Sequence, residues 1–142
     1  MIVKAGDSMS MGYGGSCRKY GESADFVVYE YYAYDLNVEK CNNPNRIYDG
    51  IIKIEKSAFV EPEIHKRIKR RPSGRKILVT KRIVRDIPIS KYLADGKVEL
   101  VNSSFCSHIH KGYGYVGLGL VDKLFSEYQL NGEIPHTVSI HV

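Results

Sequence analysis

The pattern of apolar positions is clearest at residues 25–34, DFVVYEYYAY, where β-branched and aromatic residues dominate and both faces are largely apolar. Such a segment is typical of a central β-strand. Residues 42–46, NNPNR, have turn chemistry, and Asp49-Gly50 introduces a second strand over residues 51–59, IIKIEKSAF. The pattern therefore predicts two antiparallel strands joined by a long loop.

Residues 60–71, VEPEIHKRIKRR, carry the signals of a helix. Pro62 suits a first helical turn, and acidic residues come before basic ones, as the helix dipole favours. Ile64 and Ile68 lie four positions apart and would form the buried side. A Pro-Ser-Gly turn at residues 72–74 ends the segment, so the sequence predicts a basic helix followed by a turn.

The rest of the chain alternates strands and helices. We predict a strand at residues 75–85, RKILVTKRIVR, a short helix over residues 88–95 closed by Gly96, and a strand at residues 97–101, KVELV. Residues 136–142, HTVSIHV, are predicted to close the chain as a strand. A last helix is predicted before this strand from apolar residues at helical spacing, which are Leu120, Val121, Leu124, Phe125 and Tyr128.

These elements predict an α+β, or mixed α/β, domain with a single sheet of about five strands and two or three helices packed on it. Residues 1–24 are rich in glycine and serine, and we interpret them as an N-terminal loop or edge segment. Residues 25–142 are interpreted as one domain, because a chain of 142 residues is of ordinary size for a single core.

Composition indicates a globular protein without a membrane span. The hydrophobic share of 43% and the charged share of 26% are ordinary, and no segment approaches the roughly 18 consecutive apolar residues of a spanning helix. Cys17, Cys41 and Cys106 cannot all pair within one chain, and the first residues lack the apolar core of a secretory signal. We therefore expect a cytoplasmic location, with the thiols reduced.

Charge is distributed unevenly along the chain. Lys and Arg number 21 against 16 Asp and Glu, a net charge of +5, and residues 66–85 hold ten of these cations and no acid. The rest of the chain then carries eleven bases against sixteen acids. So dense a cluster predicts an acidic partner. The candidate partner-binding residues are Lys66, Arg67, Lys69, Arg70, Arg71, Arg75, Lys76, Lys81, Arg82 and Arg85.

Three interpretations of this basic segment stay open. The first is contact with an acidic protein, as in inhibitors and toxin-immunity proteins, a comparison that rests on size and class alone. The second is binding of RNA or DNA, weakened by the absence of interleaved aromatic residues and by repulsion from the acidic remainder. The third is a solvated surface that balances acids of the fold. We expect a non-catalytic binding protein, with the acidic protein as first hypothesis.

The stretch FCSHIHKGYGYVGLGLVDK contains possible metal ligands. In an extended segment Cys106, His108 and His110 would point to one side at intervals of roughly 6.6 Å, so two of them could share a metal. A structural zinc needs four ligands, and the fourth would have to come from His136 or His141 at an unknown distance. We therefore expect no metal and keep the three residues as weak candidates.

The same stretch spells Gly-x-Gly-x-x-Gly with Gly112, Gly114 and Gly117. A dinucleotide fingerprint also needs an acidic residue about 20 positions on, at the end of a second strand, and this chain has none there. What remains is a local site in which backbone N–H groups at a helix start bind a phosphate or carboxylate. A plain strand-to-helix loop is the alternative.

Catalysis is not predicted, and neither is a cofactor. The sequence has no nucleophile elbow, Walker loop, kinase set or HExxH motif. One catalytic alternative, a small phosphodiesterase or ribonuclease, would combine His65, His108 or His110 with Glu30 or Glu63. Histidine would move protons, and arginine of the basic segment would stabilise the pentavalent phosphate.

Tyrosines crowd the first predicted strand. Tyr29, Tyr31, Tyr32 and Tyr34 must lie two on each face, because side chains alternate along a strand. Glu30 is the only charge among them, and we expect it on an open face or an edge strand rather than in the core.

Overall fold

The computed structural model describes residues 12–142, and its centre is a five-stranded antiparallel sheet in the spatial order β6-β3-β2-β1-β9. Two separate two-stranded ribbons, β4-β5 and β7-β8, complete the strands of the described residues. The strands are β1 (Tyr13–Glu22), β2 (Phe26–Asp35), β3 (Gly50–Glu55), β4 (Glu63–Arg70), β5 (Lys76–Ile83), β6 (Val98–Val101), β7 (Ile109–His110), β8 (Tyr113–Gly114) and β9 (Thr137–His141). The α-helices are α1 (Ile89–Asp95) and α2 (Tyr115–Asn131).

The core lies between one face of the sheet and the two helices. Tyr29 and Tyr31 of β2 are fully buried on this face, and α2 contributes Leu120, Leu124 and Phe125 to the same cluster. The Tyr29 hydroxyl donates to the carbonyl of Pro135 at 2.6 Å, so the ring is buried without leaving its polar end unsatisfied.

The opposite face of β2 carries the other two tyrosines and Glu30. The expected division of the four tyrosines between two faces is thus confirmed. Glu30 lies on this open face and pairs with Arg18 of β1 at 2.5 Å. Glu30 is expected on an open face or on an edge strand. Because β2 is the central strand, the open face is the position that Glu30 occupies.

The α+β class and the sheet of five strands are confirmed, although the molecule is mostly sheet and the described residues hold two α-helices. The predicted strands β2, β3, β6 and β9 and both predicted C-terminal helices are present. Both helices end at a glycine in the left-handed region, Gly96 for α1 and Gly132 for α2, as helix C-termini favour. Neither helix of residues 12–142 is long and apolar enough to cross a membrane.

The interpretation of residues 1–24 as a loop or edge segment is wrong where the structure describes it. Residues 1–11 lie outside the described residues, but residues 13–22 form β1, which is hydrogen-bonded between β2 and β9 in the interior of the sheet. Glycine and serine have low strand propensity, and tertiary packing overrides it here. A Cβ on Gly15 would lie 2.2 Å from the carbonyl oxygen of Tyr32 and 2.7 Å from Val116, so glycine is what lets strand and helix approach.

The predicted helix over residues 60–71 is also wrong, because residues 63–70 form strand β4, which pairs antiparallel with the predicted strand β5. Ile64 and Ile68 lie four positions apart, and a spacing of four places residues on one side of a strand as well as of a helix. The turn at residues 71–75 decides between them. Gly74 adopts φ +82° there and its N–H donates to Arg71 O, which turns the chain back into β5.

Candidate functional site

The basic residues lie on a β-hairpin, residues 63–83, that stands apart from the main sheet. Every residue of β4 is exposed, and β5 has only Ile77 and Val79 partly buried. The hairpin therefore offers both of its faces to solvent for most of its length. We call it the basic hairpin.

Register divides the cations between the two faces of the basic hairpin. Residues directly opposite each other in an antiparallel pair share a face, and side chains alternate along each strand. His65↔Lys81 and Arg67↔Val79 therefore lie on one face, and Lys66↔Thr80 on the other. By the same rule the first face carries Arg67, Lys69 and Lys81, the second carries Lys66, Arg70, Lys76 and Arg82, and Arg71 and Arg75 lie in the turn. Arg85 follows the hairpin.

These cations are not neutralised within the described part of the chain. The ion pairs of residues 12–142 are Arg18–Glu30, Lys19–Glu22, Lys56–Glu22, His65–Glu63 and His108–Asp35, and none of the ten candidate cations takes part in one. Glu63 bonds to His65 at 2.6 Å at the base of the hairpin. The positive charge consequently increases from the base towards the turn.

Helix α2 fixes the base of the basic hairpin. Gln129 is fully buried, and its side chain accepts from Arg85 N at 2.6 Å and donates to Arg85 O at 3.0 Å, as a neighbouring strand would. The Arg82 guanidinium donates to the carbonyl of Gln129 at 3.1 Å. Just before β4, Glu61 accepts from the Tyr128 hydroxyl at 2.8 Å, and this bond raises the pKa of that hydroxyl. The hairpin is thus anchored at its base and free at its turn.

One face of the basic hairpin also exposes apolar side chains. Ile68 and Leu78 are direct cross-strand partners and are 70% and 64% exposed, and Ile64 on the same face is 48% exposed. Large exposed apolar groups next to one another often mark an interaction surface. The sequence prediction missed them because it assigned Ile64 and Ile68 to the buried side of a helix.

The three weak metal candidates do not form a site in the described residues, where no group of three His, Cys, Asp or Glu side chains could hold a metal. Residues 102–108 are loop rather than strand, so the alternation expected for an extended segment is lost. Cys106 faces the Tyr31 hydroxyl at 4.0 Å, whereas the His108 ring packs on Tyr13 at 4.6 Å between centroids. His110 stacks on Tyr115.

The three glycines have local structural roles. Gly112 occupies the left-handed region at the turn between β7 and β8, Gly114 donates its N–H to Asn102 Oδ1 at 2.9 Å, and Gly117 lies under Leu100 in the first turn of α2. The N–H of Tyr115 is also used, because it donates to the carbonyl of His108. Anion binding at these glycines remains a prediction from the sequence alone.

Of the His–Glu pairs named in the catalytic alternative, the hydrogen bonds and ion pairs of the described residues join one, His65 with Glu63 at 2.6 Å. His65 pairs with Glu63 on the basic hairpin, and Glu30 pairs with Arg18 on the open sheet face. His108 approaches a different carboxylate, the buried Asp35, with Nε2 at 3.6 Å.

Two of the three cysteines are not poised for thiolate chemistry. All three are free, Cys17 is fully buried, and burial raises the pKa of its thiol to about 12. Burial raises the pKa of Cys106 as well. A thiol is a nucleophile mainly as its thiolate, so Cys17 and Cys106 are protonated and unreactive at neutral pH.

The open face of the sheet has an aromatic cluster that the sequence did not predict as a site. Tyr32 packs edge-on against Tyr48, with 5.0 Å between ring centroids, and lies 6.4 Å from Tyr34. The Arg18 guanidinium lies 3.7 Å above the Tyr48 ring, and that of Arg46 lies 5.9 Å from the Tyr32 ring. Arg18 and Arg46 come from distant parts of the sequence, which is why no local motif indicated them.

Comparison with known proteins adds no functional assignment. A scan against protein-family models, a search of curated proteins and a search of solved structures each found no match to this chain.

Proposed function

We propose that the protein binds double-stranded DNA and that the basic hairpin is the element that enters the groove. The observation that supports this most is the division of nine unneutralised cations between both faces and the turn of one exposed hairpin, with the tenth, Arg85, just after it. A flat protein partner would contact one face only. A groove has walls on two sides, and each wall carries phosphates.

The shape of the hairpin fits this role. The major groove of B-form DNA is about 12 Å wide and admits a two-stranded β-ribbon. Eight residues per strand give the basic hairpin a length of roughly 26 Å at about 3.3 Å per residue. The major groove of A-form RNA is too narrow for side-chain access, and single strands need aromatic stacking that the hairpin lacks. These points favour duplex DNA over RNA.

The base of the hairpin supports the same proposal. Because α2 holds the base through Gln129 and Tyr128, the hairpin is presented in a defined direction. Pre-organised elements lose less conformational entropy on binding than flexible ones do. The cations nearest the turn, Arg70, Arg71 and Arg75, are then the residues that we expect to reach deepest.

The test is a charge reversal with a matched control. We expect Arg70, Arg71 and Arg75→Glu to weaken binding of a random-sequence DNA duplex at low salt by about a hundredfold, because three phosphate contacts become repulsions. The control variant, Lys40, Lys91 and Lys111→Glu, makes the same change in net charge at exposed positions away from the hairpin, and its affinity should fall by less than about fivefold. Equal losses in the two variants would contradict the proposal, because net charge alone would then explain them.

An acidic protein partner is the second candidate, and the exposed apolar residues favour it. Ile64, Ile68 and Leu78 lie on one face with Lys66 and Arg70 around them. An apolar centre with a charged rim is the usual anatomy of a protein interface. Such a partner would present an apolar depression bordered by Asp and Glu.

Substitution of the apolar pair separates the two candidates. In Ile68→Ser with Leu78→Ser, a protein partner should lose affinity by about a hundredfold, because the buried centre of the interface is removed. Duplex DNA, held by phosphate contacts, should lose less than about threefold. Fluorescence anisotropy with labelled duplex measures the second quantity directly, and a hundredfold loss there would contradict binding of DNA through phosphate contacts.

We also propose a cytoplasmic location and a binding role without catalysis. Three free cysteines, one of them fully buried, are typical of a reducing compartment.

A further inference from the structure

A second feature, independent of the basic hairpin, lies on the open face of the sheet. The loop between β2 and β3 closes over Tyr32 and Tyr34 and leaves a cavity of about 340 Å³. Its lining comprises Tyr32, Tyr34, Leu36, Asn42, Asn43, Pro44, Arg46 and His141. This volume is at the lower end of the range for small-molecule sites, which are about 300–1,000 Å³.

The loop is held in a fixed and unusual conformation. Asn43 and Arg46 have φ of 49° and 50°, in the left-handed region that non-glycine residues seldom adopt. The buried Asn43 side chain holds the loop in place by donating to the carbonyls of Ala33 and Ile47 and accepting from Ile47 N. Residues kept in such conformations cluster at ligand sites. Here the result is a guanidinium beside a tyrosine ring.

The electrostatics of the cavity favour an anion. Its lining includes a cation, Arg46, and no acidic residue, and Arg46 has no ion pair with a carboxylate of the described chain. His141 Nδ1 lies 2.7 Å from the Tyr34 hydroxyl. With that hydroxyl donating to Nδ1, His141 carries its proton on Nε2 and offers a donor. A tyrosine hydroxyl has an ordinary pKa near 10, so Tyr34 is protonated at neutral pH, and burial raises this pKa further.

The walls of the cavity favour a planar ring. Tyr34, which is partly exposed, presents aromatic surface, Tyr32 contributes its small exposed part, and the amide groups of Asn42 and Asn43 border the same space. In single-strand binding proteins, stacking of a base on an aromatic ring is favourable whichever base is present. An anionic group on a planar ring is the chemistry of a nucleotide.

We propose that this cavity binds a 5′-nucleotide unit, with the base against Tyr32 and Tyr34 and the phosphate at Arg46 and His141. The nucleotide can be free or can be an unpaired residue of a strand, since both present the same groups. The proposal does not depend on the basic hairpin.

Arg46→Gly is a sharp test, because glycine adopts the left-handed conformation of position 46 without strain and the loop is retained. Lys111→Gly is its matched control, since Lys111 also has φ of 50° and is an exposed cation, but it lies outside this cavity. Calorimetric titration with AMP, adenosine and inorganic phosphate measures whether ring and anion are both needed. We expect AMP to bind the natural protein about tenfold tighter than adenosine or phosphate, to lose about tenfold in Arg46→Gly and to be unaffected in Lys111→Gly.

A second titration distinguishes a free nucleotide from a nucleotide within a strand, and it tests the cavity separately from the basic hairpin. A short single-stranded oligoadenylate is titrated into the same variants, all carrying Arg70, Arg71 and Arg75→Glu so that the hairpin does not contribute. If only the oligonucleotide depends on Arg46, the ligand is a strand; if AMP does, it is a free nucleotide. If neither depends on Arg46, the cavity proposal is wrong, whatever the hairpin does with duplex DNA.

Discussion

Single glycines control how closely the central strands and α2 pack. Gly15 and Gly21 both lie in β1, which makes them a matched pair. A Cβ at Gly15 would lie 2.2 Å from a backbone oxygen of β2, while a Cβ at Gly21 would meet nothing within 4 Å. Close backbone contact, rather than turn geometry, is therefore the reason for glycine at position 15.

We expect Gly15→Ala to lower the free energy of unfolding by about 2–3 kcal/mol, because the added methyl group forces β1 away from β2 and Val116. Gly21→Ala should be neutral or slightly stabilising, by less than about 1 kcal/mol, since the position is open and alanine restricts the unfolded chain. Urea unfolding measures both. Equal effects at the two positions would refute the role given to Gly15.

Asp49 holds the loop after β6. Its carboxylate accepts from the hydroxyls of Ser103 and Ser104 and from Ser104 N. Burial alone would raise the pKa of Asp49, but these hydrogen bonds outweigh it, and the pKa is lowered below its ordinary value. A lowered folded-state pKa means that the ionised group stabilises the fold above the unfolded-state pKa, near 4, and that this contribution disappears as the pH falls through the folded-state pKa.

Asp49→Asn should therefore destabilise the protein by about 1–2 kcal/mol at pH 7, and the difference from the natural protein should shrink steadily as the pH falls below about 4. Asp122→Asn, at an exposed position of α2, serves as control and should change stability by less than about 0.5 kcal/mol. Thermal unfolding across this pH range makes the comparison. A difference that stays constant with pH would show that the carboxylate charge is not what matters.

At the scale of elements, the basic hairpin depends on α2 for its direction. The Gln129 side chain makes the two backbone hydrogen bonds with Arg85 that a neighbouring strand would otherwise make. Among the buried side chains of the described core, only Gln129 holds the hairpin base in this way. The hairpin has no hydrophobic face of its own that is fully buried. An isolated two-stranded hairpin is marginally stable at best, so the anchor is needed.

Gln129→Leu keeps the size of the side chain and removes both hydrogen bonds to Arg85. We expect a loss of about 1–3 kcal/mol, because the partly buried N–H and C=O of Arg85 lose their partner. Amide hydrogen exchange should accelerate in β4 and β5 while β2 and β3 keep their protection relative to global unfolding. Uniform acceleration across the molecule would mean that Gln129 supports the core and not the hairpin in particular.

The sequence predicts those elements whose hydrophobic pattern is unambiguous. Strand β2 is identified by its β-branched and aromatic residues, and helix α2 by apolar residues at helical spacing. The sequence of strand β4 is ambiguous, because its isoleucines are spaced by four and its composition suits a helix. Only its pairing with β5 identifies it as a strand. Strand β1 is rich in glycine, and its place in the sheet comes from pairing with β2 on one side and, on the other, with β9, more than a hundred positions away.

The candidate sites also divide into features that the local sequence predicts and features that depend on long-range contacts. The ten cations were predicted from local density, but their distribution over two faces could not be, because it depends on the hairpin register. The aromatic cavity was not predicted at all, since it joins β2, the following loop and the last strand. Long-range pairing brings Tyr34 and His141 together from positions 107 residues apart.

At the scale of the whole molecule, charge is separated in space as well as in sequence. The cations concentrate on the exposed hairpin, and the ion pairs of the described residues lie on the body of the sheet, on its loops and at the hairpin base. A dipolar molecule of this kind would approach a polyanion with the hairpin first, because repulsion from the acidic body disfavours other orientations. Association is then fast at low salt and slows as salt screens the field.

The salt dependence of duplex DNA affinity tests this account most directly. The slope of log Kobs against log salt concentration, measured between about 50 and 200 mM, counts the phosphates neutralised at about −0.9 each. If about six of the ten cations contact phosphates, the slope is about −5, and it becomes about three units less steep in Arg70, Arg71 and Arg75→Glu. No measurable binding at the lowest salt concentration, or a slope that is the same in both proteins, would contradict the role proposed for the basic hairpin.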